Sequence, residues 1–120
     1  MKSKSIVQER LDASKNRLEI IKREVESVRM SPGDVAKGLR HIGTVLESVQ
    51  KFVRTDSDMK FQSNIDAKLE AGMGRLSTTI THLEDSGGIT GDALNESLTQ
   101  VGRIFDSLQE LVDLEIETLS

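Results

Sequence analysis

The residues with the plainest chemical potential are His41 and His82, the only histidines in a chain of 120 residues that has no cysteine. Neither lies in an HExxH motif or in the Glu-x-x-His pair by which helical bundles hold two metal ions. Gly72-x-Gly74 is a fragment of a phosphate-cradling loop, but such loops follow a strand, and these glycines stand inside a helical pattern. Ser57-Asp58-Met59-Lys60 matches the S-x-x-K of serine nucleophiles; without the partner motifs it reads as a helix cap. No catalytic, cofactor-binding or metal-ligating residue is assigned, and no cofactor is expected.

Charge is the next candidate. Lys4, Arg10, Lys15, Arg17, Lys22, Arg23 and Arg29 could touch phosphates, but Glu9, Asp12, Glu19, Glu24 and Glu26 are interleaved with them. Aromatic side chains for base stacking are limited to Phe52, Phe61 and Phe105. The basic face therefore reads as a solvated one with pairs such as Glu19–Arg23, and nucleic acid is not an expected partner. Residues 1–30 carry a net charge of +3 and residues 84–120 one of -8. The acids Asp106, Glu110, Asp113, Glu115 and Glu117 lie on a helix, not in a ligating loop, which speaks against calcium. If the two ends are neighbours, their charges attract.

Apolar spacing defines the elements beneath these groups. Val7, Leu11, Leu18, Ile21, Val25 and Val28, with Ser14 included, step 4, 3, 4, 3, 4, 3 as a heptad seam does. Ser31-Pro32-Gly33-Asp34 stops this helix and starts the next: Ser31 can cap, Pro32 suits the first turn, and Asp34 meets the helix dipole. The second seam is Val35, Leu39, Ile42, Leu46, Val49 and Val53, widened by Val45 and Phe52. After a break at Thr55-Asp56-Ser57-Asp58, a third helix carries Phe61, Ile65, Leu69, Met73, Leu76, Ile80 and Leu83. Its steps imply a local slip from the heptad, and Ala71-Gly72-Met73-Gly74 within it implies mobility or close packing. Ser86-Gly87-Gly88 ends it. Thr90-Gly91-Asp92 opens a fourth helix with seam Leu94, Leu98, Val101, Phe105, Leu108 and Val112, flanked by Ile104 and Leu111.

The second and fourth helices are two versions of one text. Leu39–Val53 and Leu98–Val112 share five identities in fifteen positions, and every apolar position stays apolar. At an offset of 58, residues 7–34 match 65–92; after the extra residue Ala93 the offset is 59. The chain reads as a tandemly duplicated helical hairpin (about 5–55 and about 60–119) in one domain spanning residues 1–120. The expected fold is all-α, an antiparallel four-helix bundle with coiled-coil-like seams. Open hairpins completed by a second chain are the alternative.

Gly43 and Gly102 interrupt good helices at the same repeat position. Glycine there weakens a helix, so close approach of a neighbouring helix is expected to require both. Gln50 and Gln109 lie two turns further along the same flank, placed to bond across the contact. With Phe52, Phe105 and Leu111 they form the expected packing and interface set.

Function is read by elimination. The expectation is a non-enzymatic structural or assembly protein that works through helix–helix contacts and homo-oligomerisation, as a scaffold or virion component would. The alternative is a small regulator or sequestering protein that binds nucleic acid or a nucleotide. No run approaches the ~18 apolar residues of a membrane span, so no membrane partner is expected. The expected location is the cytoplasm, or the virion for a viral chain.

Overall fold

A computed structural model describes residues 2–27, 31–56, 58–85 and 91–117, and side chains from Ile6 onward. Four helices fill it: α1 (Lys2–Glu26), α2 (Pro32–Thr55), α3 (Gln62–Glu84) and α4 (Gly91–Glu117). Each packs on its two neighbours in a ring, α1 and α3 both against α2 and α4, within 47 × 22 × 18 Å. The two hairpins thus complete one another within one chain, and the arrangement of open hairpins is not the one adopted.

Local chemistry sets the boundaries. Ser31 caps α2, its Oγ accepting the Asp34 N–H at 3.2 Å, with Pro32 in the first turn. The far end of α2 is finished by Gln62, whose side-chain amide donates to the Val53 and Asp56 carbonyls at 2.5 and 3.0 Å. The same carbonyls also accept backbone N–H groups, Val53 from Asp56 and Asp56 from Met59, both at 3.3 Å. The chain between α2 and α3 is longer than the four-residue break read from sequence. Phe61 precedes α3, and Met59 is buried beneath the turn. The expected cap at Ser57, the stop at Ser86–Gly88, Thr90 and Val28 lie outside the described residues.

The core is the set of seams. Every expected seam residue of α2 and α4 is buried, and so are Val7, Leu11, Ser14, Leu18 and Ile21 of α1, while Val25 is partly covered. The α3 reading needs correction. Its buried line is Ile65, Leu69, Gly72, Leu76, Thr79 and Leu83, with steps of 4, 3, 4, 3, 4. Met73 and Ile80 only flank it. The heptad does not slip; two of its positions are held by residues that are not apolar, and each neighbouring apolar residue mimicked them.

Gly72 has a definite task. A Cβ there would sit 3.5 Å from Ile104 Cγ2, 3.6 Å from Leu46 Cδ1 and 3.8 Å from Phe105 Cε1. The position lies beside the Phe105 ring, which is among the largest fully buried side chains. Close packing, the second of the two readings of this stretch, holds at Gly72; around Gly74 a Cβ would meet nothing within 4 Å. Those distances admit a methyl group in ordinary van der Waals contact. Gly72→Ala should be neutral or stabilising by up to about 1 kcal/mol through helix propensity. Gly72→Leu should cost about 1–3 kcal/mol through overpacking. Urea melts followed by circular dichroism distinguish the two.

Candidate functional site

The residues expected at helix contacts fall into two groups. Gln50 and Gln109 cross between hairpins at equivalent places. Gln50 Nε2 on α2 donates to Glu70 Oε1 on α3 at 2.8 Å. Gln109 on α4 exchanges a reciprocal amide pair with Gln8 on α1, at 2.8 and 3.0 Å, and also accepts from Lys15 Nζ at 3.1 Å. Arg54 joins the first set by donating to Asp66 and Glu70, at 2.9 and 3.2 Å, and Asp113 and Asp12 join the second as acceptors from Gln109 and Gln8. Gln50, Arg54, Asp66 and Glu70 match Gln109, Asp113, Gln8 and Asp12 in the repeat. The same four positions therefore meet on both sides of the bundle: Gln50 and Arg54 both cross to α3, whereas on the other side only the Gln8–Gln109 amide pair crosses, and Asp12 and Asp113 accept within their own helices. The hydrogen bond to Asp66 is the main cause that raises the Arg54 pKa further above its ordinary value.

Charge pairing between α1 and α4 takes a different form from the one expected. The two helices do pack together. Among the described residues, however, the ion pairs are Arg40–Glu84, Arg54–Asp66 and Arg54–Glu70, all between α2 and α3. The register puts Lys15 against Gln109 and leaves Asp106, Glu110, Asp113 and Glu117 exposed. Glu115 departs from the acidic surface altogether. It is 1% exposed, and its carboxylate accepts the Phe61 N–H at 2.7 Å. It continues the α4 seam three residues after Val112, a spacing signal that its charge disguised.

Gly43 and Gly102 do not stand at close helix contacts. A Cβ on Gly43 would meet nothing within 4 Å, and one on Gly102 only Leu18 Cδ2 at 3.8 Å. The close approach in α2 is at Gly38, where a Cβ would fall 2.7 Å from Ile21 Cδ1 and 3.3 Å from its Cγ1. In the other hairpin, the matching residues are Thr79 and Ser97, whose hydroxyls share a hydrogen bond at 2.6 Å. The signal was a small residue in both copies, Gly38 and Ser97, beside a seam position.

The remaining members of the set separate. Phe105 is in the core, Leu111 packs at its edge, and Phe52 is half covered by Arg10. The Arg10 guanidinium lies 4.9 Å from the Phe52 ring centroid and donates to Ser48 Oγ. Ser48 in turn donates to the Val45 carbonyl at 2.6 Å.

Among the described residues, several grooves run between helices. One of about 420 Å³ between α1 and α4 has Leu18, Gly102 and Phe105 beneath Lys15, Lys22 and Arg103, with Glu19 and Asp106 beside them. One of about 260 Å³ between α1 and α2 includes His41, Arg17, Ile20 and the buried Ser14, whose hydroxyl has no protein partner. One of about 390 Å³ lies between α3 and α4 around Leu111 and Leu114. Among the described residues, no three His, Cys, Asp or Glu side chains are grouped as metal ligands, and no helix is long and apolar enough to cross a membrane. His82 is exposed on α3. No family model, curated protein or solved structure matches the chain.

Two glycines of α2 should respond to alanine with opposite signs. Gly43→Ala adds a side chain in open space and should stabilise by up to about 1 kcal/mol. Gly38→Ala pushes on buried Ile21, and should destabilise by roughly 1–2 kcal/mol after the propensity gain is offset. Thermal melts of both variants test the reassignment of the close contact.

Proposed function

We propose that this chain is a non-enzymatic assembly protein that acts through its helix faces and associates with further copies of itself. The observation that carries the reading is the set of large apolar side chains left outside a core that is otherwise filled. Ile20, Leu114 and Ile116 are 50%, 44% and 40% exposed. Val45, Phe52, Ile104 and Leu111, which widen the apolar stripes, are instead partly covered within the chain itself. The reason to expect association is thus confined to a smaller surface on α1 and on the last turns of α4. Scattered apolar residues are ordinary on a protein surface; here Leu114 adjoins a groove, which gives it a place where another helix can pack.

A second reading is binding of a nucleotide or nucleic acid, favoured by Lys15, Lys22 and Arg103 around the α1–α4 groove. Glu19 and Asp106 in the same groove oppose it by repelling phosphate.

Light scattering over a concentration series, with refractive-index detection because the chain has no Trp or Tyr, tests the first reading. The mean mass should rise above the 13.3 kDa of one chain as concentration increases. A constant 13.3 kDa combined with salt-dependent binding of a short oligonucleotide would replace it with the second.

A further inference from the structure

The repeat permits one groove to be compared with its counterpart. In the first hairpin, Arg10, Ser48 and Phe52 meet: the guanidinium covers the ring and donates to the hydroxyl. Their equivalents in the second hairpin are Lys68, Ser107 and Leu111, and all three line the open groove between α3 and α4. Lys68 is exposed, and Ser107 makes no side-chain hydrogen bond among the described residues. Where one hairpin fills this place with its own arginine, the other leaves an apolar floor with a free hydroxyl. Leu114 extends that floor into solvent.

We infer that the α3–α4 groove receives the outer face of α1 from a second copy of this chain, with Ile20 against Leu114 and flanking arginines toward the acids of α4. This rests on the reading of the protein as a self-assembling one and specifies its contact. The occupant is argued from complementarity. Ile20 is the exposed large apolar residue of α1, with the exposed Arg17 and Arg23 three residues to either side. Leu114 has Glu110 four residues before it and Glu117 three after it, both exposed. Helix spacing puts each pair of charges roughly 9–11 Å apart, so two arginines can meet two glutamates while the apolar residues pack between them. Lys68 borders the groove from α3 and opposes a cation placed on its side. The arginines therefore belong toward α4.

The geometry also fixes the kind of assembly. Ile20 borders the α1–α2 groove, and the receiving groove lies between α3 and α4, on the opposite side of the four-helix ring. A contact between different surfaces is heterologous: each copy still offers one free face of each kind, so growth continues into a ring or filament.

Two surface variants test this. Ile20→Glu removes the donor face and keeps the groove; Leu114→Lys blocks the groove and keeps the donor face. Helicity at 222 nm should match wild type for both, since both positions are exposed. Arg17→Glu, also exposed, is a second way to disable the donor face. Wild type should give masses that climb beyond twice 13.3 kDa with concentration and fall as salt is raised. Each variant alone should remain at 13.3 kDa, and an equal mixture of the two should form a species of twice that mass and stop there. Variants that assemble as wild type does would overturn this contact and leave the assembly reading in place. Monomeric variants whose mixture also stays monomeric would overturn it in favour of a symmetric contact. A wild type that is monomeric throughout would overturn both.

Discussion

A phenyl ring in the middle of a four-helix bundle needs a helix opposite it that gives way. Phe105 is 1% exposed, and α3 meets it with Gly72, a position without a side chain. Leu46 and Ile104 close on the same space. Leu18 of α1 and Gly102 meet Phe105 again in the groove on its other side. The ring thus touches the packing of both hairpins, and the spacing of α3 and α4 depends on the volume shared by residues 72 and 105. Interiors are packed densely enough that one misplaced methylene is felt. A residue no larger than alanine at position 72 is consequently a condition of the bundle as a whole.

Positions that the sequence pairs between the two hairpins carry different chemistry. Ile21 presses on the bare backbone of Gly38, whereas Thr79 and Ser97 hold the matching place with a hydrogen bond. Gln50 and Arg54 reach the acids of α3 where Gln109 pairs with Gln8. Arg10 shelters Phe52 where Lys68 and Leu111 leave a groove. Two of these paired places keep a contact between helices through different side chains, and the third leaves a groove. What differs between the copies appears on the surface as charge and as open space, and the proposed partner contact lies there.

Legibility from sequence followed the residue type at each position. The seams of α2 and α4 are apolar at each position named for them, so spacing alone located them. The α3 seam was misread because Gly72 and Thr79 carry no hydrophobic signal, although the repeat set them opposite Ser14 and Ile21. Charge groups Glu115 with the other acids of the last helix, while its spacing places it inside. Gly43 and Gly102 were credited with a tight contact because glycine is costly in a helix. The cost is real, but the space around Gly43 is open. The Gln50 and Gln109 cross-links were legible as position and residue type together. The grooves were not, because they arise from how side chains on separate helices cover or miss one another.

The shared volume of residues 72 and 105 is the central physical claim, and a double-mutant cycle measures it most directly. Phe105→Ala alone should cost about 3–5 kcal/mol through the cavity it opens. Gly72→Leu alone should cost about 1–3 kcal/mol through overpacking. Combined, the leucine enters the space the ring has left. The double variant should then be more stable than the sum of the single effects implies, by roughly 1–3 kcal/mol in urea denaturation. Additive losses would contradict the claim, because the two residues would then not be sharing one space.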